Sequence, residues 1–134
     1  MKNLNVDSHM LAPIGGAFYP TGYSMVMFPS EDDARLIGKR LIEHGFSGDE
    51  VYFIPASAVL AQISPTVVDS GSPLPSAGTD GATVRAYTQL AREGHTGLLV
   101  HTQDNGARDR LMAIVGGTPY SIAQRYRRLV IEDL

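Results

Sequence analysis

The sequence predicts an α+β fold in which two β–α–β units share one antiparallel sheet. In the first half, two continuous apolar runs at 23–28 and 51–54 flank an amphipathic helix. The second half repeats this order, with an apolar run at 97–101, a helix after Asp104 and a further apolar segment that reaches Ile131. Two split β–α–β units packed together make a ferredoxin-like sandwich, with helices on one face and here an extra helix in the central connection.

The first unit is predicted from its strand and helix signals. A strand at 23–28 ends before Pro29, and Ser30 is the predicted N-cap of a helix whose first turn carries three acidic residues at 31–33. Gly45 is the predicted C′ residue of this helix. The core-facing stripe comprises Ala34, Ile37 and Leu41. A strand at 51–54 and a short helix over 56–63 complete the unit.

The second half begins with a helix that is capped at Thr79 or Asp80 and runs to Arg92. Its predicted buried stripe comprises Val84, Tyr87 and Ala91. A strand at 97–101 follows, and then a helix capped by Asp104 or Asn105. The C-terminal run at 120–131 contains one strand, or two strands joined at residues 124 and 125.

A chain of 134 residues is long enough for one domain. We assign residues 1–22 to an N-terminal arm and 23–134 to a single α+β domain. Ser8-His9-Met10 is typical of a cloning junction with Met10 as the natural start, so residues 1–10 are left out of the fold prediction. The stretch 64–80, where nine of seventeen residues are Ser, Pro or Gly, is predicted to be a long irregular loop. The competing architecture is a doubly wound parallel sheet.

Two stretches of the chain carry a family resemblance. Residues 25–34 (MVMFPSEDDA), His44-Gly45-Phe46 and 49–54 (DEVYFI) give a strand, an acid-capped helix, a Gly-aromatic turn and a second strand. This order resembles the opening of the heat-induced stress protein (YflT-like) domain and its small bacterial relatives. Residues 92–95 and 97–101 are similar to the second half of that domain. The resemblance implies a fold and a stress or housekeeping context, and it brings no catalytic residue.

Charge and composition limit the classes of partner. The net charge of −3 does not favour a nucleic-acid or membrane partner for the chain as a whole. The absence of Cys excludes disulfides, thiolate nucleophiles, Fe–S clusters and cysteine-type zinc sites. It also fits a reducing compartment, and with no signal peptide or transmembrane run in the sequence we predict a cytoplasmic protein without a membrane partner.

Motifs for catalysis and cofactors do not occur in the sequence. There is no G-x-S-x-G, G-x-G-x-x-G or G-x-x-x-x-G-K-[ST] pattern. The acidic residues at 31–33 would repel an anion from the first helix N-terminus. His95 and His101 flank one strand at a separation of about 20 Å, which is too far to share a metal ion. We therefore predict no catalytic residue, no metal and no cofactor.

The C-terminal part of the chain is basic and supports a nucleic-acid alternative. Residues 104–128 contain five Arg and two Asp, whereas residues 1–67 contain four basic and seven acidic residues. Tyrosines beside arginines stack on unpaired bases in single-stranded nucleic-acid sites. The candidate RNA-binding residues are Arg108, Arg110, Tyr120, Arg125, Tyr126, Arg127 and Arg128. A basic edge strand that prevents edge pairing explains the same residues.

The leading prediction is a non-enzymatic domain that acts by self-association and by binding a partner or small ligand. Leu129, Val130 and Ile131 form an apolar triplet between charged flanks, so we expect a homodimer in which this C-terminal segment takes part. A third alternative is an enzyme whose pocket forms between subunits, with His95, His101 or Tyr126 as acid–base groups. The identity of a small-molecule ligand does not follow from the sequence.

Overall fold

The computed structural model describes residues 1–67 and 79–134. This part of the chain has an α+β fold with a six-stranded mixed sheet and four α-helices. The strands are β1 (Lys2–Asn3), β2 (Tyr23–Phe28), β3 (Val51–Ile54), β4 (Thr96–His101), β5 (Ile122–Tyr126) and β6 (Ile131–Asp133). The helices are α1 (Glu31–Glu43), α2 (Ala56–Ala58), α3 (Thr79–Arg92) and α4 (Asn105–Val115).

The sheet has the strand order β1-β3-β4-β2-β5-β6. The inner pairs and the β5–β6 pair are antiparallel, but β1 pairs with β3 in parallel through Lys2 opposite Tyr52 and Asn3 opposite Phe53. The prediction of an antiparallel sheet is therefore wrong at this edge, and the sheet is mixed. The error has a simple cause, because β1 belongs to the ten residues that were left out of the fold prediction.

Helices α1 and α4 cover one face of the sheet. Val26 and Phe28 of β2 project to this face, where they meet Leu41 of α1 and Leu111 of α4 in one hydrophobic cluster. The cap of α1 follows the sequence prediction, since the Ser30 hydroxyl accepts a hydrogen bond from the backbone N–H of Asp33. At its other end, Gly45 has a φ of +112°, a conformation that glycine adopts without strain.

The opposite face is covered as well, by α3 and the N-terminal arm. Met25 and Met27 of β2 pack here against Tyr87 of α3 and against Phe18 of the arm. The prediction that helices lie on one face only is therefore wrong. The physical reason is visible in β2, whose continuous apolar run has no polar side to turn towards water.

The central connection contains helical structure both before residue 68 and after residue 78. After β3, helix α2 continues into a π-helical segment, Val59–Ile63, and a 3-10 turn, Ser64–Thr66. The extra helix predicted in this connection is α3, which ends at Arg92 as predicted and includes both predicted cap residues, Thr79 and Asp80. Most of the predicted irregular loop, residues 68–78, lies outside the described residues.

The C-terminal segment forms two strands, as one of the two alternatives predicted. They are joined by a tight turn at 127–130 and not at residues 124 and 125, and the Arg127 N–H donates to the Val130 carbonyl at 2.9 Å. We call residues 127–130 the hairpin tip. In the described part of the chain, no helix is long and apolar enough to cross a bilayer.

Candidate functional site

The ends of three strands meet at one edge of the sheet. Strand β2 begins where its antiparallel neighbours β4 and β5 end. Gly22, with a φ of +89°, makes the turn into β2, donates to the Tyr126 carbonyl and accepts from the Thr102 N–H, both at 2.9 Å. A cleft of about 270 Å³ opens here, which we call the arginine cleft. It is lined by Thr21, Gly22, His101, Thr102, Gln103, Arg125, Tyr126, Arg127 and Arg128.

Arg125 is the buried cation of this cleft, with only 4% of its surface exposed. Its Nε donates to the Thr102 carbonyl at 3.2 Å, and one terminal nitrogen donates to the Gln103 carbonyl at 3.3 Å. The other terminal nitrogen donates to the side-chain oxygen of Asn105 at 2.8 Å. All three acceptors are uncharged. Among the described residues, no carboxylate lies within 4.0 Å of this guanidinium.

A carboxylate does lie nearby, but other arginines hold it. Glu132 sits directly opposite Arg125 in the β5–β6 ladder. Its two oxygens are 3.2 Å from a terminal nitrogen of Arg108 and 3.6 Å from one of Arg127. The acidic residue closest in sequence to the Arg125 acceptors, Asp104, is occupied in capping α4. Within the described part of the chain, the charge of Arg125 is therefore left without a carboxylate of its own.

His101 borders the arginine cleft at the end of β4. Its Nδ1 lies 3.2 Å from the Glu50 carboxylate, which orients the imidazole ring. The pKa of Glu50 is lowered from its ordinary value, first by the backbone N–H of Ser47 and then by His101. The ring of Tyr23 meets the imidazole edge-on, with 5.1 Å between the ring centres.

Tyr126 follows Arg125 in β5, and its side chain lies on the opposite face of the sheet in different surroundings. Tyr126 is buried, and its hydroxyl lies 2.9 Å from that of Tyr87, which also donates to Gln124. Tyr19 packs edge-on against Tyr126, and its own hydroxyl donates to the Arg127 carbonyl. Burial is the main cause that raises the pKa of both Tyr87 and Tyr126 well above the ordinary value.

The structure divides the seven predicted RNA-binding residues among separate places. Arg125 is buried and Tyr126 lies in the core of the other face, so its ring is not available to stack on an unpaired base. Arg110 lies over the ring of Phe46, and Tyr120 is half-buried against the cluster under α1 and α4. Arg108 is held by Asp109 and Glu132. Of the six other predicted residues, Tyr126, Arg127 and Arg128 line the arginine cleft with Arg125, and the Tyr126 ring itself is buried on the other face.

The three predicted interface residues have different environments. Leu129 and Val130 lie in the hairpin tip and are 92% and 54% exposed. Ile131 is the first residue of β6 and packs against the cluster beneath α3. The exposed part of the triplet is therefore reduced to the two residues of the tip.

The three predicted acid–base residues do not all lie in one cleft, because His101 and Tyr126 line the arginine cleft and His95 does not. His95 lies before the start of β4, where its Nδ1 is 2.7 Å from the Ser121 hydroxyl, whereas His101 ends the same strand. The Tyr126 hydroxyl is engaged by Tyr87. Within residues 1–67 and 79–134, no three His, Asp or Glu side chains form a group that could hold a metal ion.

Sequence reasoning found the arginines of the cleft but missed the residues that complete it. Thr21 and Gly22 were assigned to the arm, and Thr102 and Gln103 are ordinary loop residues that no motif marks. The available signal was Arg125 itself, an arginine at an inward-facing position of a strand. No protein-family model, curated protein or solved structure matches this chain, so the resemblance to the YflT-like domain stays a prediction.

Proposed function

We propose that this protein is a non-enzymatic domain that binds a small ligand through an anionic group held in the arginine cleft. The observation that carries the proposal is Arg125, a 96%-buried cation whose described partners are all uncharged and which borders an open cleft. Burying a charge without a counter-charge is costly, so such groups are normally paired. A bound anion would supply the missing partner.

The hydrogen bonds of Arg125 suit this role. A guanidinium has five N–H donors, of which three are engaged by Thr102, Gln103 and Asn105. One N–H remains on each terminal nitrogen, and two guanidinium N–H groups can bind two oxygens of a carboxylate or phosphate. Because the three existing bonds already fix the side chain, an anion binds without the entropy cost of ordering it.

The surrounding charges support an anion rather than a cation. Arg127 and Arg128 line the same cleft, and no carboxylate side chain of residues 1–67 or 79–134 lines it. Arg128 has no described carboxylate partner. Thr21 and Thr102, which also line the cleft, are uncharged. The cleft therefore attracts negative charge through several groups and repels it through none of its lining residues.

Thermal unfolding in increasing inorganic phosphate tests the proposal. We expect the wild-type Tm to rise saturably, because a ligand that binds only the folded state stabilises it. The Arg125→Met variant should lose this rise. Arg92→Met is the matched control, since Arg92 is exposed at the end of α3, next to the opposite end of β4.

The control also separates binding from the general effect of phosphate, which stabilises proteins because it is excluded from their surfaces. That general effect is the same in all three proteins. An equal rise of Tm in wild type, Arg92→Met and Arg125→Met would overturn the proposal. A single-stranded RNA that binds wild type and Arg125→Met equally, while phosphate does not bind, would favour the nucleic-acid alternative.

We also propose that β2 to β5 with α1 and α4 form a ferredoxin-like unit to which β1, α3 and β6 are added. Two features support this. Each of the four inner strands is antiparallel to its neighbours in the order β3-β4-β2-β5, and the helices that link β2 to β3 and β4 to β5 pack on the same face. The stress-type context, the homodimer and the cytoplasmic location belong to the same proposal and rest on the sequence alone.

A further inference from the structure

A second cleft, of about 530 Å³, adjoins the arginine cleft and shares Thr21 and Arg128 with it. We call it the apolar cleft. Its walls come from the N-terminal arm on one side and the hairpin tip on the other. The side chains that line it are His9, Leu11, Ala12, Pro13, Ile14, Tyr19, Thr21, Asp80, Arg128 and Leu129. The two volumes together lie in the range of small-molecule sites, roughly 300–1,000 Å³.

The apolar cleft holds the two most exposed large hydrophobic side chains of the described residues. Ile14 and Leu129 are each 92% exposed, whereas the next, Val130, is 54% exposed and belongs to the same hairpin tip. Single exposed hydrophobic residues are common on proteins, but a cluster beside a polar site marks a place where something binds. Here the cluster borders the cleft that contains Arg125, a buried cation with no carboxylate partner among the described residues.

The charges restrict what the occupant can be. Arg125 and Arg128 both lack a carboxylate partner among the described residues, so two positive charges await compensation at the arginine cleft. A phosphate monoester carries a charge near −2 at neutral pH and matches them. Asp80 lines the apolar cleft and opposes a second anionic group there. The part of the ligand that enters the apolar cleft is therefore uncharged.

We propose that the ligand is a phosphate monoester whose phosphate binds at Arg125 and Arg128 and whose apolar body lies between Ile14 and Leu129. This inference rests on the proposed function, since it assigns the class of ligand to the same site. Arg128 and Thr21 line both clefts, which makes the path from one to the other continuous.

Calorimetric titration with inorganic phosphate, n-hexyl phosphate, hexanoate and hexanol tests the inference. We expect n-hexyl phosphate to bind at least ten-fold more tightly than inorganic phosphate, because it also removes apolar surface from water. Hexanoate should bind more weakly than n-hexyl phosphate, and hexanol should not bind measurably. Leu129→Ser and Ile14→Ser should reduce the affinity for n-hexyl phosphate towards that for inorganic phosphate and leave the latter unchanged.

Leu36→Ser is the matched control, because Leu36 is a half-exposed leucine of α1, the helix on the other face of the sheet. Equal affinities for n-hexyl phosphate and inorganic phosphate would overturn the inference and leave the proposed function standing. Failure of both to bind would overturn both. Hexanoate that binds as tightly as n-hexyl phosphate would contradict the phosphate class. A wild-type dimer that Leu129→Ser converts to a monomer, with n-hexyl phosphate unable to compete, would identify a second copy as the occupant.

Discussion

The two faces of β5 bury polar side chains in opposite ways. Tyr126 on one face is a neutral group whose hydroxyl is satisfied by Tyr87 inside a closed core. Arg125, the residue before it, is a cation that is almost as deeply buried and borders an open cleft, and its partners among the described residues are all uncharged. The first arrangement is complete without a ligand. The second leaves a buried charge with no carboxylate partner in the described part of the chain, and the proposed anion site rests on this difference between neighbouring residues of one strand.

Truncation of the Tyr126 side chain should have the largest effect on stability. Tyr126→Ala removes a buried aromatic ring and is expected to lower the free energy of unfolding by about 3–5 kcal/mol. Tyr126→Phe keeps the ring and loses the hydroxyl, so its cost should be about 1 kcal/mol. Urea denaturation of both variants measures the two losses. Equal losses would contradict the view that packing, and not the hydroxyl pair, dominates this face.

Alkaline pH should lower the stability that the buried pair Tyr87 and Tyr126 contributes to the fold. The pKa values of Tyr87 and Tyr126 are raised, chiefly by burial, so the folded state retains protons that the unfolded chain would release. The stability that they contribute is complete below the ordinary value of 10.0 and is lost as the pH rises above it. Absorbance of tyrosinate against pH should therefore contain a late step that coincides with unfolding. Ionisation of all six tyrosines in a folded protein would contradict this expectation.

Replacement of the cation should separate stability from binding. Arg125→Met is expected to lower the free energy of unfolding by only about 1–2 kcal/mol, because water in the cleft can reach the freed acceptors and a costly buried charge is removed. Phosphate binding, measured by calorimetry on the same samples, should be lost. A variant that unfolds more readily than Tyr126→Ala would instead mean that Arg125 is mainly a structural residue.

The smallest effect is expected at the surface pair beside the cleft. Glu132→Gln releases Arg108 and Arg127 from their ion pairs, and partly exposed pairs of this kind contribute about 1 kcal/mol or less. Because Arg127 lines the cleft, its release should strengthen phosphate binding in low salt. Weaker binding in Glu132→Gln would show that Glu132 positions Arg127 for the anion. The matched control is Asp33→Asn, which removes a carboxylate from the first turn of α1.

Local elements could be predicted from the sequence because their signals are local. The Ser30 and Asp104 caps, the glycine after α1 and the apolar run of β2 each specify structure within a few residues. The second covered face could not be predicted in the same way. It depends on Leu4 and Phe18, which lie in the arm and reach the sheet only through tertiary packing.

Only part of the candidate site could be predicted from the sequence. The excess of arginine between 104 and 128 identified the basic region, but not which arginine lacks a counter-charge. That distinction depends on the ion pairs of Glu132 with Arg108 and Arg127. It also depends on the neutral acceptors of Arg125 in the loop that follows β4. Such partners are set by the register of β5 with β6 and by the path of a loop, neither of which leaves a pattern in the sequence.

The most direct test of the central claim is the side-chain NMR signal of Arg125 during a titration with inorganic phosphate. Its Nε–H donates to the Thr102 carbonyl, and the absence of the signal in Arg125→Met assigns it. We predict a saturable shift of this signal. The signal of Arg35, a residue of α1 whose guanidinium lies over the Phe53 ring, should not shift. An Arg125 signal that does not move while phosphate shifts only exposed arginines without saturation would contradict the claim.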